Sequence, residues 1–259
     1  MDPIYSELNE HGVATLTINR PHRANAINDE VIYSMITALD DLASNGVTRL
    51  LIIKSTGLHF SAGLDTYWQK HCIDNNELPA QNISVQMSRL YATLYDFPHP
   101  TLVVVKGRAY SDAVGLIACC DFVLADHNSE FILNDLKYGV PPALPIPYLI
   151  KSIGERAAKQ FALLCKPLTA IKAFDLGLVT CLASSDQLSI EEQKIITSLL
   201  QHDRDLASAT KSLIQFCADE PFDDTQIDYS IEIVDEMKSK PAFRLGLEQI
   251  IQKHTNRNK

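Results

Sequence analysis

Apolar positions along this chain follow two periods, one typical of strands and one typical of helices. Alternation over residues 13–19 predicts a strand. Apolar residues at three- and four-residue spacing over residues 31–42 predict a helix, which Asn28 or Asp29 can cap with its side chain. The chain therefore opens with a strand followed by an amphipathic helix.

Short, continuous apolar runs come next and predict buried strands. They lie at residues 49–54, 101–105 and 122–125. A helix is predicted over residues 84–95, and Pro98 and Pro100 break the chain before the following strand. Strands that alternate with helices indicate an α/β fold with a largely parallel sheet.

The second half of the chain is predominantly helical in pattern. Helices are predicted over residues 147–153, 154–164, 170–176 and 191–200. An acidic loop over residues 218–228 leads to two final helices, divided near Pro241. We predict a core at residues 1–195 and a C-terminal helical region at residues 196–259, suited to docking and oligomerisation.

Composition narrows the possible partners. Apolar residues make up 46% of the 259-residue chain and charged residues 21%, as in ordinary globular proteins. The net charge of -9 argues against a nucleic-acid surface, although a local basic patch could still bind phosphates. No run approaches the roughly 20 apolar residues of a membrane span, and the first ten residues lack the apolar segment of a secretion signal. We expect a cytoplasmic protein that binds neither nucleic acid nor membrane.

The six cysteines predict neither a disulfide framework nor a metal site. They stand at positions 72, 119, 120, 165, 181 and 217, mostly within apolar runs. No Cys-x-x-Cys occurs, and no His lies at metal-ligand spacing from a Cys. We expect reduced and mostly buried thiols.

One strand–turn–helix stretch carries the most informative chemistry. The apolar run over residues 102–105 leads into small residues, and a helix is predicted to begin near Ser111-Asp112-Ala113. The first N–H groups of a helix lack intrahelical partners and can hold negative charge on a ligand. The stretch therefore predicts contact with an anionic or polarised ligand group.

Residues 106–121 resemble the signature of the crotonase, or enoyl-CoA hydratase/isomerase, superfamily. The family usually has Gly-x-Ala-x-Gly-Gly-Gly here, whereas this chain has Ser111-Asp112-Ala113 in place of the three glycines. Further family motifs are similar to residues 19–28, 60–65, 153–158 and 173–179. Since these motifs occur in the family's order, the chain is identified as a member. The resemblance implies the crotonase fold, a spiral of ββα units with C-terminal oligomerisation helices.

A subgroup is also indicated. Residues 134–143 are similar to a form typical of bacterial hydratases that act on methylglutaconyl-CoA or related carboxylated, branched enoyl-CoA esters. Gly115 fits the same branch.

The resemblance implies that two backbone N–H groups bind a thioester oxygen and stabilise an enolate. By alignment these donors belong to Ala62 and Asp112. Alternatively, Ser111 or Asp112 simply caps its own helix. A carboxylate at position 112 would repel a developing oxyanion, so we expect it to turn away, to be protonated or to take part in chemistry.

Many family hydratases use two glutamates as acid–base groups. The first position falls on Gly115, which has no carboxyl group, and the second on Asp135, which is one methylene shorter than Glu. Asp135 is therefore either the acid–base group or an ordinary surface or capping aspartate. Displacement of a reacting group by about 1 Å can lower a rate on the order of a hundredfold.

Coenzyme A is implied only as part of an acyl-CoA substrate, and no prosthetic group is implied. The residues that the resemblance places near it are Arg20, Arg23, Ala62, Leu64, Asp65 and Lys253. Family members form trimers, often paired into hexamers, so we expect a homo-oligomer.

Three functions remain open at this level. The first is hydration of a 2-enoyl-CoA, and the second is another reaction through an enolate: isomerisation, decarboxylation or thioester hydrolysis. In the third, the chain has lost catalysis and serves as a binding or assembly component.

Overall fold

The strands of the protein form two sheets. The computed structural model describes residues 2–75, 80–219 and 222–257, without the side chains of residues 73, 80–82, 249 and 253–257. The strands are β1 (Ile4–Leu8), β2 (Val13–Ile18), β3 (Leu50–Ser55), β4 (Thr101–Val105), β5 (Arg108–Tyr110), β6 (Phe122–Asp126), β7 (Glu130–Ile132), β8 (Leu168–Thr169) and β9 (Cys181–Ala183). Six of them form a sheet in the order β1-β2-β3-β4-β6-β9, and three form a second sheet in the order β5-β7-β8.

The larger sheet is parallel except at one edge. Strand β1 pairs antiparallel with β2, and all other neighbours in this sheet run parallel. Strand β4 is buried at every position, which is typical of an interior strand of a parallel sheet. The predicted α/β architecture with a largely parallel sheet is confirmed.

Helices connect and follow the strands. They are α1 (Asp29–Ser44), α2 (Thr66–Asp74), α3 (Ala80–Tyr95), α4 (Asp112–Ala118), α5 (Ile146–Leu164), α6 (Ala170–Leu176), α7 (Leu188–Leu200), α8 (Arg204–Asp219), α9 (Asp224–Ser239) and α10 (Pro241–Arg257). Short 3-10 turns lie at Pro21–Arg23 and Asp135–Tyr138. Asn28 caps α1 by accepting the Val31 N–H at 3.1 Å, as predicted. Within the described residues, no helix has the length and apolar content to cross a bilayer.

Three helices of the second half differ from the sequence predictions. The helices predicted on either side of residue 154 form a single helix, α5, which is kinked at Gly154, where φ is 74° and ψ is 160°. Helix α8 was not predicted, and α9 begins inside the predicted acidic loop. Asp223 accepts the Thr225 N–H at 2.9 Å and so caps α9. Acidic side chains are favourable in the first turn of a helix, so an acidic run can begin a helix as well as form a loop.

The chain divides into two compact units, Met1–Leu199 and Leu200–Lys259. In the second unit, the ring of Phe216 on α8 packs against Tyr229 on α9 with centroids 4.4 Å apart. Ile214 and Ile231 are exposed in the same unit. An oligomerisation role for these helices stays a prediction.

All six cysteines are free thiols. Cys72, Cys119 and Cys165 are buried, Cys120 and Cys181 are half-buried, and Cys217 on α8 is exposed. Fewer thiols are thus fully buried than the apolar sequence context suggested.

Candidate active site

Parallel pairing brings three segments together at the carboxyl end of β5. Ser61 forms a parallel bridge with Ala109, and its carbonyl accepts the Tyr110 N–H at 3.0 Å. On the other side, β5 pairs with β7, and the Ser111 N–H donates to the Ile132 carbonyl at 2.8 Å. Because parallel strands end at the same edge, the residues that follow them meet there. These are the loop at residues 60–65, the start of α4 and the 3-10 turn at Asp135–Tyr138.

The loop at residues 60–65 is fixed by its own buried hydrogen bonds. The Ser61 hydroxyl donates to the Asn25 carbonyl at 2.7 Å and accepts the Gly63 N–H at 3.1 Å. The Ile27 N–H donates to the Gly63 carbonyl at 2.8 Å, and the Asp65 N–H donates to the Ile27 carbonyl at 2.7 Å. With both sides of the loop paired, its backbone is held in one conformation.

The amide that this loop offers belongs to Leu64. The Ala62 N–H, which the alignment names as a donor, instead donates to the Ala24 carbonyl at 2.9 Å and is not available to a ligand. Within the described residues, the Leu64 N–H has no hydrogen-bond partner. The sequence resemblance could not show this difference, because it does not reveal which amide the Ala24 carbonyl occupies.

Gly63 brings this loop against the start of α4. Its φ of 77° lies in the region that favours glycine. A Cβ at this position would lie 2.7 Å from the Tyr110 carbonyl oxygen and 3.5 Å from the Asp112 nitrogen. The Leu64 peptide therefore follows directly on a residue in close contact with the Asp112 backbone.

The Asp112 side chain turns towards a buried tyrosine. The Tyr91 hydroxyl lies 2.9 Å from the Asp112 carbonyl oxygen and 3.1 Å from its Oδ1, and both oxygens accept from it. Burial is the largest cause that raises the pKa of Asp112, to about 6, and the negative charge of Asp135 raises it further. The hydrogen bonds from Tyr91 and from the backbone N–H of Asp112 itself lower this pKa and so oppose part of the shift. Of the outcomes expected for this carboxyl group, the structure thus shows a side chain directed at Tyr91 and an increased preference for the protonated form.

Ser111 and Asp135 form the other half of the cluster. Ser111 occupies the position before α4 with a φ of 46°, and its side chain makes no capping bond to the helix. Instead its hydroxyl donates to Asp135 Oδ1. Asp135 Oδ2 is buried and has no hydrogen-bond partner within the described residues. A buried, unpaired carboxylate oxygen is costly, and strained backbone at a non-glycine residue is typical of functional sites.

Position 115 has no room for a side chain. A Cβ on Gly115 would lie 2.5 Å from the Tyr91 hydroxyl oxygen and 2.9 Å from Pro145 Cβ. Tyr91 is fully buried and packs edge-on against Tyr148, with ring centroids 5.5 Å apart. The volume next to residue 115 is therefore filled by the tyrosine.

Sequence reasoning missed Tyr91. It lies on α3 among apolar residues, beside Leu90 and one turn before Leu94, both fully buried. A tyrosine on an apolar helix face needs a partner for its hydroxyl, and this was the available signal.

Two of the residues predicted to contact coenzyme A, Arg20 and Asp65, make side-chain contacts that fix the loop. The Arg20 guanidinium contacts Asp65 Oδ2 at 3.2 Å and also donates to the Ala26 carbonyl. Asp65 is buried, and its Oδ1 accepts the N–H groups of Tyr67 and Trp68 at the start of α2. Their side chains are thus already engaged within the protein.

The remaining candidates differ in exposure. Arg23 is exposed, and its guanidinium lies over the Tyr67 ring at 5.4 Å from the centroid. Leu64 is half-buried. Lys253 falls on α10, and its side chain lies outside the described residues.

Comparisons with known proteins identify the family of the chain. The Enoyl-CoA hydratase/isomerase family matches the chain over residues 8–257. A putative enoyl-CoA hydratase of Thermus thermophilus is 31% identical over 184 residues, which are 71% of this chain and 72% of the relative. A trans-2-decenoyl-[acyl-carrier-protein] isomerase of Streptococcus mutans is 23% identical over 255 residues, which cover 96% of this chain and 94% of the relative.

A solved structure confirms the fold that the sequence resemblance implies. The crystal structure of an enoyl-CoA hydratase from Shewanella pealeana superposes with a TM-score of 0.88 at 29% identity and covers 97% of this chain and 94% of its own. Together with the family match along nearly the whole sequence, this places the protein: the chain belongs to the enoyl-CoA hydratase/isomerase family.

Proposed function

We propose that this protein catalyses the reversible hydration of a 2-enoyl-CoA thioester, with Asp135 as an acid–base group. The observation that carries the proposal is the buried, unpaired Oδ2 of Asp135. It belongs to a carboxyl group whose other oxygen is fixed by Ser111, close to the start of α4. A carboxyl group held by one oxygen and available at the other suits proton transfer.

Two amides in the site are suited to hold the thioester oxygen. They are the N–H groups of Leu64 and Asp112, which Gly63 brings close to each other. Hydrogen bonds from such donors strengthen as negative charge develops on the oxygen, and one donor contributes roughly 2.7–4 kcal/mol in enzymes where it has been removed. Leu64 thus takes the role that the alignment gave to Ala62.

We also propose an acyl group, coenzyme A contacts and an oligomeric state. Gly115 and the sequence at residues 134–143 favour a branched or carboxylated acyl group, such as methylglutaconyl. Coenzyme A enters as part of the substrate. Exposed Arg23 is a candidate contact for its phosphates, and Lys253 is a separate candidate that rests on the sequence resemblance. A homo-oligomer, trimeric or hexameric, in the cytoplasm fits the helical C-terminal unit and the family.

Double-bond isomerisation is a second candidate. It is favoured by the lack of space for a side chain at position 115. Of the two positions where family hydratases have glutamates, 115 and 135, only 135 then carries a carboxyl group. One carboxyl group can carry a proton from Cα to Cγ of a 3-enoyl thioester, which moves the double bond into conjugation with the thioester carbonyl. The Streptococcus mutans relative is named as an isomerase.

The test is a direct assay of the purified protein. Crotonyl-CoA and methylglutaconyl-CoA should lose the absorbance of the conjugated enoyl thioester, and Asp135→Asn should abolish most of that change. A 3-enoyl-CoA that gains absorbance without loss of the 2-enoyl substrates would instead establish isomerisation. If neither class turns over at high enzyme concentration, catalysis is refuted. Calorimetry with an acyl-CoA at millimolar concentration then separates an inactive binder from an assembly component.

A further inference from the structure

Positions 112 and 115 lie on the same face of α4, because residues three apart on a helix are neighbours. Gly115 has no carboxyl group, but Asp112 places one on the same face of the helix, one turn earlier. Tyr91 links the two positions: its ring fills the space beside Gly115, and its hydroxyl contacts Asp112. A single tyrosine therefore both excludes a side chain at one position and fixes a carboxyl group at the other.

The carboxyl groups of Asp112 and Asp135 are close enough for the charge of one to affect the pKa of the other. The charge of Asp135 is one of the causes that raise the pKa of Asp112. Ser111, the neighbour of Asp112 in the chain, donates its hydroxyl to Asp135. Two carboxyl groups in one site with different surroundings are the arrangement that separates an acid from a base.

We propose that Asp112 is the second acid–base residue of the site and that Tyr91 is the positioning residue that holds it. This role rests on the proposed hydration and deepens it, since the pair that family hydratases build from two glutamates is formed here by two aspartates. Asp112 donates a proton to Cα, and Asp135 accepts a proton from the attacking water.

Every proton and electron pair in the proposed hydration has a source and a destination. The water oxygen bonds to Cβ while one of its O–H bonds breaks, and that proton passes to the Asp135 carboxylate. The electrons of the C=C bond move to the thioester oxygen, which the two amides stabilise. When the enolate collapses, Cα takes the proton of the Asp112 carboxyl group. Return of one proton from Asp135 to Asp112 restores the starting state, so only water is consumed.

The groups around Asp112 favour the protonated form of its carboxyl group, which is the form that can donate a proton. Tyr91 faces it from α3 and Asp135 from the 3-10 turn, and Cys119 on α4 and Tyr148 on α5 lie near Tyr91. Burial raises the pKa of Tyr91 well above its ordinary value, so its hydroxyl remains a neutral donor. Among the described groups that influence the pKa of Asp112, none is a cation.

The first experiment measures kcat/KM against pH with crotonyl-CoA. The wild-type protein should lose activity as pH rises past about 6, where Asp112 gives up its proton. Asp112→Asn should lower kcat by roughly a hundredfold or more, and its residual activity should lack that decline. If Asp112→Asn and Asp112→Gly both match or exceed the wild-type rate, the carboxyl group only obstructs its own amide, and the proposal is overturned.

The second experiment tests the positioning role and does not depend on the fold of the Asp112 variants. Removal of the hydroxyl in Tyr91→Phe takes away the hydrogen bond that lowers the pKa of Asp112. The alkaline decline should then move to higher pH, with about a tenfold lower kcat and little change in KM. Tyr95→Phe is the matched control, because Tyr95 lies one turn along α3 and its ring also packs against Tyr148, at 5.4 Å. An unmoved decline in Tyr91→Phe would refute the role of Tyr91.

Different results would refute the hydratase function and the role of Asp112. A wild-type protein that hydrates no enoyl-CoA refutes the hydratase function and this inference with it. An active wild-type protein whose pH profile is unchanged in Asp112→Asn refutes the inference alone.

Discussion

The two segments that meet at the site hold their polar groups in opposite ways. In the loop at residues 60–65, the Ser61 hydroxyl is paired on both its donor and acceptor sides, and the Asp65 carboxylate is capped by Arg20 and two amides. In the turn that starts α4, Asp112 is half-buried with a raised pKa, and Asp135 has one buried oxygen without a partner among the described residues. The first segment is a scaffold that fixes an amide, and the second is an ionisable cluster.

The same contrast appears in the sequence. The loop keeps the family peptide, whereas the turn replaces three glycines with Ser111-Asp112-Ala113 and the first glutamate with Gly115. The substituted residues lie in one cluster, since Tyr91 donates to the new carboxyl group of Asp112 and Ser111 donates to the retained carboxyl group of Asp135. The chain therefore departs from the family peptide at the ionisable cluster and keeps it at the loop.

The largest effect should come from the ionisable cluster. Asp135→Asn keeps the shape of the side chain but removes proton transfer, so kcat should fall by roughly 10²- to 10⁴-fold. Steady-state kinetics with crotonyl-CoA checks this. Asp175→Asn is the control, because Asp175 is exposed and its carboxylate lies 3.8 Å from the Lys172 ammonium. Full activity of Asp135→Asn would remove the functional difference between the two segments.

The scaffold should be most sensitive at Gly63. Gly63→Ala places a Cβ 2.7 Å from the Tyr110 carbonyl oxygen at a φ of 77° and should lower the free energy of unfolding by roughly 3 kcal/mol. Gly46→Ala is the matched control, with a φ of 74° and no atom within 4 Å of the added Cβ, and should cost only about 1 kcal/mol. Urea unfolding measures both. Equal losses would mean that the loop is not pressed against β5.

Asp112 should also make stability depend on pH. Its folded-state pKa of about 6 lies above its ordinary value of 3.8, so the folded protein binds this proton more tightly than the unfolded chain does. The resulting stabilisation is complete below pH 3.8 and is lost as pH rises past about 6.

The measurement compares unfolding free energies of the wild type and Asp112→Asn across this range. The variant should gain roughly 2–3 kcal/mol relative to the wild type between pH 4 and pH 7. A constant difference between the two proteins would show that the pKa of Asp112 is not raised.

The smallest of these effects is expected at Ser61. Ser61→Ala leaves the Asn25 carbonyl and the Gly63 N–H without their partner in a buried place, which should cost about 1–2 kcal/mol. Ser44→Ala removes an exposed hydroxyl that donates to the Asp40 and Asp41 carbonyls of its own helix, and it should stay within about 0.5 kcal/mol of the wild type. Thermal unfolding at one pH distinguishes them. A neutral Ser61→Ala would mean that the loop is held by its backbone bonds alone.

Much of the fold could be read from local pattern. The bounds of β4 and α6 agree with those predicted, because an apolar run between turn signals and a capped amphipathic segment are both local signals. Strand β1 was missed because only Ile4 of its five residues is buried, which leaves no alternation to detect. Helix α2 was missed because its cap, Asp65, was interpreted as part of a binding loop.

The sequence by itself determined the family, the α/β order of elements and the presence of carboxyl groups at positions 112 and 135. These follow from residue type and spacing, which do not depend on distant contacts. Only the tertiary structure decided that the Leu64 amide is open while that of Ala62 is occupied, and that Tyr91 fills the space beside Gly115. Both depend on pairs of residues far apart in the chain, whose meeting is set by strand register and helix packing.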